Sequence, residues 1–509
     1  MVDIVDDKNL NIVVDNIEEI QKQAEKMALN TLEPKLPERI KATNIVLDFV
    51  KKYKLKVYGG YALHLALKHS NPNDKNACLY NEDALQTPDI DCYSPDPIDH
   101  LIKLCDELHK AKLANVRGVE GLHKETYKIF ANTVGYCDIS YVPKNVFHRI
   151  PFIDINGLHV IHPHIWVIDV FRVFNDPLTS YFRVDKDLKR LVKVQKYYPF
   201  RDIKDPLKPE VSSDKKYKEL VSLVGKYIKR KTIMVLGYHA FNRFIKASGV
   251  SKKYPGIKAI EGTGYELLST NFITDGDDLI EQLKKHEPGI SVVEYSPFFQ
   301  YLGHSVVVYW KDQPVVRMYD NNNRCLPYQV DNGINYATFD HLMMMAMMTI
   351  IRHRVNKEKN EMLLYNAMLS HLIHARNYFL TTEKKTILDD TIFRSFVVMC
   401  MGKTETSFMI SQKARLKKQQ NKKPITYSYR PGQGGNKPNF IFNNTSGNPI
   451  INLKHQLLQK GTSGGEQDSY SETSPERSET PVDTDENEDP IVITPGLQRM
   501  YRDIYGKEL

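Results

Sequence analysis

Nowhere in the sequence do about 18 apolar residues run together, the length a membrane-spanning helix needs, so no such helix is expected. The opening MVDIVDDKNLNIVVDNIEEI is acidic and alternating, not basic and then apolar, which argues against a secretory signal. The chain has no CxxC pair. Its six cysteines (Cys78, Cys92, Cys105, Cys137, Cys325 and Cys400) are scattered, so neither a zinc site nor a disulfide framework is expected, and reduced thiols suit a cytosolic setting. A phosphate loop is also missing: GTGYE at 262–266 lacks the lysine and second glycine such a loop requires. His159, His162 and His164 are spaced by three and two around Pro163, which fits no standard zinc pattern. The methionines Met343, Met344, Met345, Met347 and Met348 are expected to fill a helix core.

What is present is 509 residues, enough for two or three domains. With 41% hydrophobic and 26% charged residues the composition is that of an ordinary globular protein. The net charge of +8 is unevenly spread. Eight basic residues and no acid lie between Lys413 and Lys437, with Tyr427 and Tyr429 among them. That run suits either a solvated tail or contact with an RNA backbone. Between Glu466 and Asp489 the sign reverses, as in a disordered acidic tail.

Apolar spacing predicts a helix over 16–30, ended by Pro34 and Pro37, and another over 38–52. A strand at 55–58, the turn Gly59-Gly60 and a helix to about Lys68 follow. Then come a strand at 89–93, a helix over 97–114, and strands at 126–131 and 134–141. This order suggests a small mixed sheet backed by helices. A basic helix at 184–198 carries Lys186, Lys189, Arg190, Lys193 and Lys196, and a Pro- and Lys-rich connector follows it.

Beyond the connector the pattern begins again. KTIMVLGYHAFNRFIKAS at 231–248 echoes KLKVYGGYALHLALKHS, and RCLPYQVDNGINYATFDHLM echoes RIPFIDINGLHVIHPHIWVI. Pro327 follows Pro151 by 176 residues, Gly333 follows Gly157 by 176, and Gly237 follows Gly60 by 177. A nearly constant offset indicates an internal duplication.

Three carboxylates stand out. Asp89 and Asp91 sit two apart on an expected strand, so both project from one face. Asp138 lies in the apolar YCDISYV, where a carboxylate is costly unless a cation compensates it. Such a set suits two Mg²⁺ ions, which prefer oxygen ligands and leave positions open for phosphate. Gly59 and Gly60 would let helix-start amides approach a phosphate. The competing reading is structural: Asp89 and Asp91 solvated at a loop edge, Asp138 paired with a lysine.

The succession VYGGYALHLAL, TPDIDCYSPDP and YCDISYV resembles the DNA polymerase β-type nucleotidyltransferase superfamily. Within it, residues 40–390 resemble the poly(A) polymerase catalytic subunits of large DNA viruses, the poxvirus enzyme and, closer, those of giant viruses of the mimivirus group. The resemblance implies a template-independent enzyme adding AMP from ATP to RNA 3′ ends. Asp89, Asp91 and Asp138 would be its catalytic, metal-binding acids, for two Mg²⁺ (or Mn²⁺) ions, and Gly59 and Gly60 its phosphate contacts. Many relatives have Ser where this chain has Gly60. Expected partners are ATP and an RNA 3′ end, with a homodimer or a separate processivity subunit and no membrane. The expected location is the viral factory in the host cytoplasm, or the virion.

The expected fold class is α/β (α+β), with tandem nucleotidyltransferase-like domains, the first active and the second degenerate. The domain ranges are an N-terminal helical segment at 1–53, a catalytic domain at 54–198, a degenerate one at 199–400 and a low-complexity, disordered tail at 401–509. Aligning Asp275 with Asp96 puts Leu268 and Thr270 opposite Asp89 and Asp91, so the second copy is expected to lack the metal carboxylates. Alternatives are a nucleotidyltransferase with another nucleotide or acceptor, and a catalytically silent RNA-binding scaffold.

Overall fold

The structure, a computed structural model, describes residues 6–402 other than 32–33, 122–124, 177, 299–301 and 322–323, and also 409, 416, 427–435, 447 and 449. It comprises two packed units. One lies within Met1–Val142, Pro151–Trp166 and Ser407–Pro438, the other within Pro143–Ile150, Val167–Thr406 and Asn439–Leu509.

Helices α1 (Asp7–Thr31) and α2 (Leu36–Lys52) come first, then β1 (Lys56–Tyr58), α3 (Gly59–Ser70), α4 (Glu82–Gln86), β2 (Ile90–Ser94) and α5 (Pro97–Lys110). The strands β3 (Arg117–Glu120), β4 (Thr126–Ala131) and β5 (Val134–Tyr141) follow. After the short α6 (Lys144–Phe147) come β6 (Phe152–Ile155), β7 (Leu158–Ile161), α7 (Pro163–Phe174) and α8 (Val184–Tyr197). Packing places α7 from Val167 onward, and α8, with the second unit: Phe174 meets Phe396 edge-on at 5.0 Å.

The second half contains α9 (Lys215–Ile228), β8 (Ile233–Leu236), α10 (Gly237–Ser248), β9 (Tyr265–Ser269) and α11 (Phe272–His286). Next are β10 (Ser291–Tyr295), β11 (Ser305–Trp310), β12 (Gln313–Asp320), β13 (Leu326–Asp331) and β14 (Ile334–Ala337). The long helices α12 (Phe339–Asn356) and α13 (Lys359–Thr382) and the short strands β15 (Cys400–Met401), β16 (Ser428–Arg430) and β17 (Gly434–Gly435) complete it. All five methionines of α12 are buried, as their spacing suggested.

The duplication is visible strand by strand. The first sheet runs β17-β16-β3-β4-β5-β2-β1-β7-β6 and the second β10-β11-β12-β9-β8-β14-β13-β15. From β3 and from β10 the two orders are the same for seven strands, and the central pairings agree in sense. β2 is parallel to β5 as β9 is to β12; β1 is antiparallel to β2 as β8 is to β9; β1 is parallel to β7 as β8 is to β14. Both copies turn the β6–β7 or β13–β14 hairpin on an Asn-Gly pair with positive φ at both residues, Asn156-Gly157 and Asn332-Gly333. This is the two-residue turn whose twist matches the strands it joins. The chain is thus an α/β protein built on two copies of one sheet arrangement.

Three expectations need correction. First, Cys325 and Cys400 form a disulfide, with Cα atoms 5.2 Å apart. The pairing of β13 with β15 brings them together across 75 residues, which spacing alone does not reveal. Second, Tyr427–Gly435 is not a featureless part of the basic run. β16 adds to the edge of β3, Tyr427 is buried edge-on to Tyr127, and the Tyr429 hydroxyl donates to Asp106 at 2.7 Å. The expected acidic tail, Glu466–Asp489, lies outside the described residues.

The third concerns the alignment of the copies. Asp96 caps α5 and Asn271 caps α11, each N–H bonding the hydroxyl of a serine two residues back, Ser94 or Ser269. The offset here is therefore 175 residues. Asp275, which accepts from Ser269, corresponds to His100, not to Asp96.

Candidate active site

One row of residues crosses the middle of the first sheet. In register, Tyr58 of β1 stands beside Asp91 of β2, Asp91 beside Asp138 of β5, and Asp138 beside Lys128 of β4. Directly paired residues project from the same face of a sheet, so both carboxylates and the lysine share one surface. On the other face Ile90, Cys92, Cys137, Ile139, Tyr127 and Ile129 are buried, which anchors the strands and leaves the charged row towards water. Asp89 lies just before β2 and is exposed.

Gly59 opens α3 at the end of β1, with φ +77°. A Cβ there would sit 2.2 Å from Oδ2 of Asp91, inside any allowed contact. The position thus requires glycine twice over, for its backbone and for the space Asp91 fills. The carboxylate also lies at the positive end of the α3 dipole. Gly60 follows in the first helical turn without the positive φ of its neighbour. Tyr58 stacks on Tyr93 at 4.0 Å and shares a 2.8 Å hydrogen bond with Ser140, which fixes the β1 end of the row. Burial first, then the charge of Asp91, holds the Tyr58 phenol above its usual range and protonated.

The sequence left Lys128 unmarked. Its Nζ donates to Oδ2 of Asp138 at 2.5 Å, so the lysine pairing weighed as a structural alternative does exist. Burial pulls the Lys128 ammonium down. The hydrogen bond to Asp138 and the charges of Asp138, Asp89 and Asp91 outweigh it and raise the pKa. One ammonium therefore feels all three aspartates. Counting back through the β4–β5 hairpin does not find it reliably, because a bulge at Ile129/Phe130 shifts the register.

Among the described residues no trio of His, Cys, Asp or Glu is gathered as a ready-made metal cage. The row offers an aspartate pair, a third aspartate nearby and a cation already drawn to them. The histidines of LHVIHPHIW form no cage either: His159 stacks on Phe152, and His162 meets His164 edge-on.

The same row in the second sheet reads Leu236, Glu266, Arg317 and Val307. Gly237 matches Gly59, with φ +57° and a Cβ position 2.5 Å from Oε1 of Glu266. Glu266, not Thr270, therefore occupies the place of Asp91; Gly264 falls at that of Asp89, and Arg317 at that of Asp138. Glu266 accepts from Tyr365 at 3.0 Å and Tyr319 at 3.4 Å, and Tyr319 is held in turn by Arg352 at 2.8 Å. One acid survives, enclosed by donors, and the third-acid position carries the opposite charge.

Comparison with known proteins agrees with this geometry. The family model "Poly(A) polymerase catalytic subunit" matches residues 44–180, and the model "APMV, Putative poly(A) polymerase, catalytic subunit, C-terminal" matches 192–460. A catalytic subunit of that name from Acanthamoeba polyphaga mimivirus is 30% identical, over 92% of this chain and 87% of its own. The chain belongs to the viral poly(A) polymerase catalytic-subunit family. A catalytic subunit from African swine fever virus is 31% identical over 36% of this chain and 38% of its own length. The crystal structure of the Megavirus polyadenylate synthase superposes with a TM-score of 0.83 at 28% identity, over 92% of this chain and 98% of that one. Poly(A) polymerase relatives thus match both sheets and not the first alone.

Proposed function

We propose that this chain is the polymerase itself, adding AMP from ATP to the 3′ end of RNA, with the chemistry at the Asp91–Asp138 row of the first sheet. The observation that carries this reading is the in-register pair of aspartates beside a glycine whose missing Cβ makes room for one of them. Its support at the level of activity is membership of the poly(A) polymerase family.

The donor set fits divalent metal. Mg²⁺ takes one or two carboxylates and completes its shell with water and substrate phosphate, so it needs no all-protein cage. The pull of the three aspartates on Lys128 marks a place where positive charge is favoured. Asp91 and Asp138 would hold Mg²⁺ or Mn²⁺ between them, with Asp89 as the third ligand. Two such ions supply charge stabilisation for attack of a 3′-hydroxyl on the α-phosphate and departure of pyrophosphate.

The chain's own residues do the positioning. The free amides at the start of α3, around Gly59 and Gly60, face incoming phosphate oxygens. Tyr58, locked by Tyr93 and Ser140, keeps Asp91 against the helix start. The basic helix α8 has the composition to follow an RNA backbone without reading its sequence. A second copy of the chain or a separate subunit would supply processivity, in the viral factory or the virion. No helix among the described residues is long and apolar enough to cross a membrane.

The test is extension of a labelled oligo(A)-ended RNA with each of the four NTPs and Mg²⁺, beside an Asp89→Ala/Asp91→Ala control. Long tails with ATP alone, absent in the control, are expected. Extension that survives in the control would remove the site. Preference for another nucleotide would keep the site and change the activity.

A further inference from the structure

Lys128 has no place in the two-metal chemistry, yet its ammonium is bonded directly into the row. We propose that Lys128 is a resident counter-cation of the carboxylate site, holding Asp138 and its neighbours together in the metal-free enzyme and competing with divalent metal for them. The proposal rests on the reading of these aspartates as metal ligands.

Three observations carry it. The first is position: Lys128 is directly in register with Asp138 on the adjacent strand, and its ammonium lies 2.5 Å from the Asp138 carboxylate. The second is need. Asp91 and Asp138 stand directly opposite each other on neighbouring strands, and like charges side by side on a sheet are destabilising. A cation beside the pair relieves that repulsion. The third is the second sheet. There Arg317 stands at the third-acid position next to Glu266, so the row balances itself, and the residue in the place of Lys128 is Val307. A lysine is thus found beside the acid pair and is absent where a single acid remains.

The pairing is built to be given up. The Lys128 side chain is 39% exposed, against 19% for Asp138, so the ammonium can turn into water without crossing the core. A lysine on a flexible stem suits a place that must be vacated; an arginine fork, gripping both carboxylate oxygens, suits a permanent one. In the second copy Arg317 is held differently, donating to Ser305 at 3.2 Å and lying over the Tyr295 ring.

The experiment uses the full chain stripped of metal by chelation, with Mn²⁺ as probe read by electron paramagnetic resonance and unfolding read by thermal melting. Lys128→Met keeps the stem and removes the charge. It is expected to melt several degrees below wild type without metal, to bind Mn²⁺ several-fold more tightly, and to gain more stability from Mn²⁺. Lys128→Arg, which keeps the charge, is expected to bind Mn²⁺ no more tightly than wild type, and it separates charge from packing. Unchanged or weaker Mn²⁺ affinity in Lys128→Met would overturn the proposal and leave the metal site standing. Equal tightening in Lys128→Arg would also overturn it. Absence of Mn²⁺ binding by the wild-type chain would overturn the metal reading and the proposal with it.

Discussion

The two sheets share strand order, pairing sense, hairpin turns and the glycine at the first strand–helix junction, and they differ in a row of four residues. Tyr58, Asp91, Asp138 and Lys128 in one become Leu236, Glu266, Arg317 and Val307 in the other. The first row holds two acids and a lysine paired with one of them. The second holds one acid, capped by Tyr319 and Tyr365, beside an arginine that donates to Ser305. A fold can therefore keep its backbone geometry while the rest of the row changes, because the glycine and the carboxylate beside it are packed together in both copies. Gly237 has kept its positive φ and its close approach to Glu266, and that is a structural demand, not a catalytic one.

The comparison is sharpest at those glycines. Gly59→Ala and Gly237→Ala both force a Cβ against a carboxylate at positive φ, and each is expected to destabilise its own sheet by about 1–3 kcal/mol. Gly59→Ala should in addition displace Asp91 and remove AMP incorporation, while Gly237→Ala should leave that incorporation within a few-fold of wild type. Melting curves and primer extension measured on both variants check the pair; equal loss of activity would break the distinction.

Next in size is the sheet edge. Tyr427 is 3% exposed in the first unit, and Tyr427→Ala is expected to cost roughly 3 kcal/mol by leaving a cavity beside Tyr127. The chain has one tryptophan in each unit, Trp166 and Trp310, so a Trp310→Phe background reports on the first and Trp166→Phe on the second. Denaturant melts in the first background should move with Tyr427→Ala; a shift confined to the second would misplace β16.

The same probes separate the units by pH. In the second unit burial pushes His341, His353 and His371 each down to about 4. A depressed histidine contributes stability that is complete above about 6.5 and lost as the pH falls through 4. Each is expected to shed roughly 3 kcal/mol over that window, an order-of-magnitude figure. Asp340, pushed up to about 6 by burial, opposes them by favouring its protonated form, one group against three. The Trp310 signal should therefore melt at lower denaturant at pH 4.5 than at pH 7. A constant midpoint would mean that these histidines charge without cost.

The smallest effect is expected from the basic run. Removing residues 413–440 would take β16 out of the first sheet, so it confuses charge with fold. Changing Lys413, Arg415, Lys417 and Lys418 to glutamine leaves the strand intact. If they meet phosphates, the salt dependence of RNA binding should flatten by about 0.7 in log–log slope for each phosphate no longer neutralised. An unchanged slope would make the run a linker.

Much of this was legible in the residues. The hairpin strands at 126–131 and 134–141 and the helix at 184–197 lie where apolar spacing put them. The three aspartates and the Gly-Gly turn stood out because they interrupt apolar strands. The repeat was visible through Gly157 and Gly333, which turn the same hairpin in each copy. What escaped was whatever depends on register between strands. Lys128 joins the row across a bulged hairpin, and Glu266 was missed because the copies are offset by 175 residues at β9, not the 179 implied by matching Asp275 to Asp96. Gly237 likewise matches Gly59, not Gly60. Cys325 and Cys400, and β16 against β3, meet through pairings between distant segments that local composition does not encode.

The most direct test of the account is single-nucleotide AMP incorporation by Asp91→Asn and Glu266→Gln, measured side by side. Both changes keep shape and remove one charge at equivalent places in the two sheets. Asp91→Asn is expected to lose activity by at least about a hundredfold, the scale of a lost metal ligand, with Glu266→Gln within a few-fold of wild type. Comparable activity in the two, or a greater loss in Glu266→Gln, would contradict the assignment of the chemistry to the first sheet.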